Sequence, residues 1–377
     1  MAAPPAQAEP TDAAGYNQRG LAYFDAGDYT KAIADFDKAV RLDPTYAEAL
    51  TNRGNAYAEM GDFDTAFADY ERAIKADPKY ARAYNNRGIA YADLQEYEKA
   101  IAEYTQAIKI DPQYSRAYNN RANAYRNLGE FEQAIVDYSQ AIKIDPQYAN
   151  AFNGRANAYF DLADYEKAIA DYSAALEINP RLARAYNYRG LSHYLLGHYE
   201  EALGDINSAI KLNPNDATAY NHRGLVHFAN SSYEEALADY DTALKLDPEY
   251  TLVYSNRGDV QYALEAYEKA VEDYSAAIES DEDYPGSYLY RGDTYYALGD
   301  YDKALADYDR VVELDPDFPP TYLQRGNAYL ALQEREKALA DWKHYEALGG
   351  ELTQEQLDLR DEVETSLKAT PIPTPHK

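Results

Sequence analysis

One period governs this sequence. The segment Ala83-Tyr-Asn-Asn-Arg-Gly-Ile-Ala-Tyr91 returns as Ala117-Tyr-Asn-Asn-Arg-Ala-Asn-Ala-Tyr125, a step of 34 residues. The same step carries Asp43-Pro44 to Asp77-Pro78, Asp111-Pro112 and Asp145-Pro146. Ten windows follow without insertion or deletion: 13–46, 47–80, 81–114, 115–148, 149–182, 183–216, 217–250, 251–284, 285–318 and 319–352. A chain built this way cannot gather around one central core. Each unit has to bury its apolar face against its neighbours in a row.

Every window reads as two helices. Tyr84, Arg87, Gly88 and Tyr91 recur at spacings of three and four, which places them on one helical face. The first helix stops at turns such as Gly61-Asp62-Phe63 or Gly299-Asp300-Tyr301. Glycine there takes the left-handed conformation that closes a helix, and the Asp after it caps the next one. The second helix runs from Ala100-Ile101 through Tyr104, Ala107 and Ile108, and ends before Asp-Pro. Proline has no N–H to donate and pushes the residue before it out of helical geometry.

These small and aromatic positions, Gly88, Tyr91, Ala100, Tyr104, Ala107 and Pro112, resemble the tetratricopeptide repeat. The second-helix Ala is present in all ten windows, from Ala32 to Ala338. The resemblance implies an all-α, right-handed superhelical solenoid of ten antiparallel helix hairpins. It also implies that first helices line a concave groove that binds other proteins.

One position departs from the family, which usually has a large aliphatic residue before the small one. Here stand Arg19, Arg53, Arg87, Arg121, Arg155, Arg189, Arg223, Arg257, Arg291 and Arg325. An equally regular acidic row lies in the second helix: Asp35, Asp69, Glu103, Asp137, Asp171, Asp205, Asp239, Asp273, Asp307 and Asp341. One reading is a stripe that binds phosphate or carboxylate. The favoured reading is an internal ion-pair ladder, because the acids match the arginines one for one and a buried charge demands a partner. Arginine suits it, since its planar fork holds a carboxylate through two hydrogen bonds and stacks on tyrosine.

Charge narrows the partners. With 36 Lys and Arg against 65 Asp and Glu, the chain has a net charge of −29. That repels phosphate backbones and anionic bilayers, so neither nucleic acid nor membrane insertion is expected. No cysteine occurs, which removes disulfides and thiolate sites. Phosphate-cradling glycine loops, nucleophile elbows and zinc-protease motifs are missing as well. Carboxylate pairs recur in every repeat, whereas a catalytic pair is needed once. The expectation is a protein without enzymatic activity and without a cofactor.

The candidate binding residues lie on the first helices. Asn52, Asn55, Asn86, Asn120, Asn123, Asn153, Asn157 and Asn187 stand one turn from the packed face, and Arg82, Arg116 and Arg184 open three of these helices. Asn is a mediocre helix former, so its recurrence at positions expected to be exposed has a cost. An amide that both donates and accepts complements a peptide unit. The alternative is that duplication copied one ancestral helix. His193, His198, His222 and His227 cluster along the sequence, but they lack the usual metal-ligand spacing and read as polar substitutions at tyrosine-sized sites.

Residues 1–12 are rich in Ala and Pro and read as a disordered lead. Residues 353–368 read as a capping helix, with a capping box at Thr353–Gln356 and a stripe of Leu359, Val363 and Leu367. Pro371, Pro373 and Pro375 mark 369–377 as a disordered tail. No apolar signal core is seen, which leaves a soluble cytoplasmic protein or one exported with its signal removed. The sequence thus points to a scaffold whose groove binds a protein segment, with acidic surroundings favouring a Lys- or Arg-bearing one. Two other readings are an assembly factor acting through its termini or convex face, and a regulatory module of a larger enzyme complex.

Overall fold

The computed structural model describes residues 9–369. The first eight residues of the expected lead, and the proline tail from 370 on, lie outside the described residues. Two compact units divide the chain, the first ending at Gly197 and the second starting at His198.

The first unit holds α1 (Ala13–Asp25), α2 (Tyr29–Leu42), α3 (Ala47–Glu59), α4 (Phe63–Ala76), α5 (Ala81–Asp93), α6 (Tyr97–Ile110), α7 (Ser115–Asn127), α8 (Phe131–Ile144), α9 (Ala149–Asp161), α10 (Tyr165–Ile178) and α11 (Ala183–Leu195). The second holds α12 (Tyr199–Leu212), α13 (Ala217–Ala229), α14 (Tyr233–Leu246), α15 (Thr251–Ala263), α16 (Tyr267–Ser280), α17 (Pro285–Ala297), α18 (Tyr301–Leu314), α19 (Pro319–Ala331), α20 (Arg335–Ala347) and α21 (Gln354–Ala369). All secondary structure among the described residues is helical. The division falls inside the sixth window, between its two helices.

Within each unit, consecutive helices pair as hairpins and each hairpin stacks on the next. Successive first helices touch each other, as α3 does α5 and α7 does α9, whereas successive second helices make no comparable contact. Each stack therefore curves with its first helices on the inner side.

Small residues set the approach distance. Ala32, Ala66, Ala100, Ala134 and Ala168 have no exposed surface in the first unit. Gly88 lies so close to the Tyr104 ring that a Cβ there would stand 2.6 Å from Cε1. Only a small residue fits there, and the next two repeats place Ala122 and Ala156 at this position.

The hairpin turns need a left-handed residue, which Gly27, Gly61, Gly129 and Gly299 supply. Gln95, Ala163, Ser231, Glu265 and Gln333 adopt the same conformation without being glycine. Asp28 and Asp62 then cap the second helix, each accepting from an amide three residues on at 3.1 Å.

The described ends pack onto the terminal hairpins. Asp12 caps α1, and Glu9 reaches Arg19 at 3.2 Å and Lys38 at 2.9 Å. Those two cations pull the Glu9 carboxyl down to about 2. The Arg19 row therefore reaches into part of the expected lead and holds it. At the other end Thr353 and Gln356 exchange capping-box bonds, and Val363 is buried against α20. Leu359 is more than one-third exposed, so the capping stripe is narrower than its spacing suggested.

Candidate functional site

The arginine row is built from the packing upward. Arg155 on α9 donates from Nε to Asp171 Oδ2 at 2.7 Å and from Nη2 to Oδ1 at 2.8 Å. The same fork joins Arg121 to Asp137, Arg223 to Asp239, Arg291 to Asp307 and Arg325 to Asp341. The acids are buried, and each arginine is raised by its aspartate bond against the opposing effect of burial. Arg189 and Asp205 fall in different units. In the first unit Arg189 donates to Ser173 Oγ at 2.9 Å, and in the second Asp205 is buried.

A third bond was not foreseen. Each fork leaves Nη1 to reach back to the preceding hairpin, 16 residues earlier. Arg121 takes Thr105 Oγ1 at 2.9 Å, Arg155 takes Ser139 Oγ at 2.8 Å and Arg325 takes Asp309 Oδ1 at 2.7 Å. The guanidinium also lies over the ring three residues before it, as Arg223 does over Tyr220 at 5.5 Å. One side chain thus ties its own hairpin together and stitches it to the one before. Binding a free phosphate or carboxylate would require breaking those bonds, so the row is structural in geometry.

The asparagines divide into two sets. Asn52 and Asn187 are 2% and 1% exposed, which corrects the expectation that they face solvent. Asn52 donates to Asn17 Oδ1 at 2.9 Å, Asn120 to Asn85 Oδ1 at 3.1 Å, and Asn256 to Asn221 Oδ1 at 2.8 Å. These amides staple one first helix to the next at a spacing of 35 residues. The spacing is one longer than the repeat, and this was the overlooked sequence signal. Where Gly154 stands instead, the Tyr138 ring occupies the space and buried Asn119 Oδ1 has no donor.

The second set lies one turn further on. Tyr70 donates its hydroxyl to Asn55 at 2.9 Å, Tyr172 to Asn157 at 2.7 Å, and Tyr138 to Asn123. Asn86 also donates to Asn55, at 3.0 Å. Among the described residues Asn123 and Asn157 are used only as acceptors, which leaves their Nδ2 hydrogens available, whereas half-buried Asn153 stands in the column of Asn85 and Asn119. In the second unit Asp259 and Asp293 take this position and accept from Tyr274 and Tyr308 at 2.7 Å.

A cavity of ≈ 350 Å³ opens on the inner side between α3 and α5, lined by Asn55, Glu59, Phe63, Asn86, Ile89 and Asp93 among others. Burial pushes the Asp93 carboxyl up, and the Glu59 charge adds to it. No cation bonds Asp93 among the described residues. Ile89 is 39% exposed at the same place.

Arg82 and Arg116 are elsewhere. They line a second cavity at the loop edge with Lys79, Tyr80 and Tyr114, away from the asparagines with which the sequence grouped them. Arg184 opens α11 and is exposed. Of the histidines, His193 belongs to the first unit and His198, His222 and His227 to the second. His222 is buried, which lowers it to about 4. His227 Nε2 lies 3.8 Å from Asp239. Among the described residues no three His, Cys, Asp or Glu side chains converge as metal ligands. No helix among them is long and apolar enough to cross a membrane.

Hairpins stacked through paired small and aromatic residues, with an inner face of first helices, define a repeat scaffold of the protein-interaction kind. The tetratricopeptide repeat model matches residues 20–61, 122–162, 156–197, 258–299 and 292–333, and two related repeat models match 51–115, 189–251 and 103–136. The chain belongs to the tetratricopeptide repeat family. Among solved structures it is similar to the Cut9–Hcn1 assembly of the APC/C, with a TM-score of 0.54, 14% identity and coverage of 94% of this chain and 75% of that one. It is similar also to PilF of Pseudomonas aeruginosa, at 0.50, 20% identity, 55% of this chain and 94% of that one. A tetratricopeptide repeat protein of Parabacteroides merdae gives 0.49, 21% identity, 66% and 98%. These likenesses concern the fold. No curated protein matches the chain.

Proposed function

We propose that the chain is a non-catalytic scaffold that binds a Lys- or Arg-bearing segment of another protein along the inner face of its first unit. The observation that carries this reading is the cavity between α3 and α5. Its floor pairs apolar surface from Phe63 and Ile89 with two carboxylates, Glu59 and Asp93, with which no cation pairs among the described residues. A long basic side chain fits both halves, its methylene stem on the apolar part and its charge at the acids. Further along the face, the available Nδ2 hydrogens of Asn123 and Asn157 can donate to carbonyls of an extended chain. The ladder carboxylates are engaged by arginine and are not available for acid–base chemistry, which supports the non-catalytic part of the reading.

The test is fluorescence anisotropy with a labelled arginine-containing peptide at low and physiological salt. Glu59→Gln with Asp93→Asn should weaken binding about tenfold or more while leaving helicity unchanged. Undiminished binding by that variant would remove the cavity from the reading.

A further inference from the structure

The first unit holds a second cavity that the inner face does not explain. It measures ≈ 580 Å³, lies at the loop edge ahead of α5 and α7, and is lined by Lys79, Tyr80, Arg82, Asp111, Tyr114 and Arg116 among others. The chain as a whole is short of cations, with 36 against 65 acids. The ladder arginines of this unit, such as Arg19, Arg53, Arg121 and Arg155, hold carboxylates. Lys79, Arg82 and Arg116 do not: among the described residues no carboxylate comes within ion-pair distance of any of them. The one acid in the lining, Asp111, accepts from the loop amide of Gln113 at 2.9 Å.

The helix dipole does not favour these two arginines. Each is the second residue of its helix, where the positive end of the helix dipole opposes a cation. The preceding repeat has Glu48 at the same place, the choice that the dipole favours. Arg82 and Arg116 gather around one hydroxyl. Partial burial raises Tyr114, and both guanidinium groups act to lower it again; half-buried Tyr80 is raised by burial and by the Glu48 charge and eased by Arg82. Two planar forks, an ammonium group, a phenolic donor and two helix N-termini therefore face a common space.

We propose that this cavity binds a phosphate group carried by a phosphorylated segment of a partner protein. Within the lining, three cations against one carboxylate leave an excess of two positive charges, which match a phosphate monoester near neutral pH. Guanidinium forks pair with phosphate oxygens in two-bond geometry, and helix N-termini add aligned dipoles. A single carboxylate would carry half that charge and leave one arginine unserved. The net charge of the chain does not forbid this, because at physiological salt charges more than about 8 Å away are largely screened. The site stands apart from the cavity between α3 and α5 and does not depend on the reading of that face.

The experiment titrates the full chain, by anisotropy, with three labelled peptides of one neutral sequence carrying phosphoserine, glutamate or serine at the centre. The phosphoserine peptide should bind about tenfold or more tightly than the other two, and inorganic phosphate should compete with it. Arg82→Gln with Arg116→Gln should remove that advantage while urea unfolding stays unchanged, since both side chains are exposed. Arg41→Gln, an exposed arginine in the last turn of α2 in the same unit, should leave it intact. Equal binding of the glutamate peptide would reassign the site to carboxylates and overturn the proposal. So would equal loss in the Arg41 variant, retained binding by the double variant, or no binding by wild type. Glu59→Gln with Asp93→Asn, which tests the inner-face reading, should not alter phosphopeptide affinity.

Discussion

Arg87 holds Glu103 through a single nitrogen. Its Nη2 donates to Oε1 at 2.7 Å and to Oε2 at 2.8 Å, while the buried Nε finds no acceptor. Elsewhere in the row an aspartate accepts from Nε and Nη2 together, as Asp137 does from Arg121. The extra methylene of glutamate carries the carboxylate past the point where both nitrogens can reach it. Shortening it should restore the fork. Glu103→Asp is expected to stabilise the first unit by about 1 kcal/mol, the usual net value of one hydrogen bond. Urea unfolding reads this directly, and an unchanged or lower midpoint would show that Nε is satisfied by water.

Removing an arginine has the opposite sign. Arg155 bonds Asp171 twice and Ser139 once, and its side chain is only 20% exposed. Arg155→Ala strands a buried carboxylate and cuts the stitch to the preceding hairpin. The expected cost is on the order of 3 kcal/mol. Arg155→Leu combined with Asp171→Asn removes the charge along with its partner and should be much milder. If the single alanine variant unfolded at the wild-type urea midpoint, the pair would contribute nothing to stability.

The turn between α9 and α10 offers a gain from backbone geometry alone. Ala163 sits at φ 58°, where a Cβ is disfavoured, and Gly197 fills the matching turn of the next repeat at φ 79°. Left-handed geometry costs a non-glycine residue roughly 1–2 kcal/mol, partly offset by the greater freedom of glycine in the unfolded chain. Ala163→Gly should therefore stabilise by about 0.5–1 kcal/mol. A lower thermal midpoint for this variant would contradict it.

The repeat was legible because its physics is periodic. A proline, a small residue and an aromatic at fixed phase each report one local constraint, and most of the ten repeats carry all three. The arginine–acid row was legible for the same reason: residue types matched one for one. Its third bond was not, because Thr105, Ser139 and Asp309 differ in type and share only a hydroxyl or carboxylate oxygen at one position. Asn52 was misplaced because helical periodicity gives a direction around the axis without saying how closely the next hairpin approaches. The neighbouring first helix covers that side chain, and Asn17 supplies its bond. Arg82 and Arg116 were placed with the asparagines by nearness in sequence. Standing at the helix starts, they project instead toward the loops between hairpins.

The last expectation concerns Asp293. It accepts from Tyr308 at 2.7 Å, a task that Asn157 performs for Tyr172 in the first unit at the same distance. Burial pushes the Asp293 carboxyl up to about 6, and the tyrosine bond only partly opposes it. A carboxyl with a folded value above its unfolded one binds its proton more tightly in the native state. Its contribution to stability is therefore complete below about pH 4, where both states are protonated, and is lost as pH rises through 6. By pH 8 the ionised group should cost the second unit on the order of 2–3 kcal/mol. Asparagine keeps the acceptor and removes the charge. Asp293→Asn should hence be more stable than wild type at pH 8 and lose that advantage near pH 4. Urea unfolding of both proteins at the two pH values measures it, and a difference that did not change with pH would mean that Asp293 ionises freely in the folded chain.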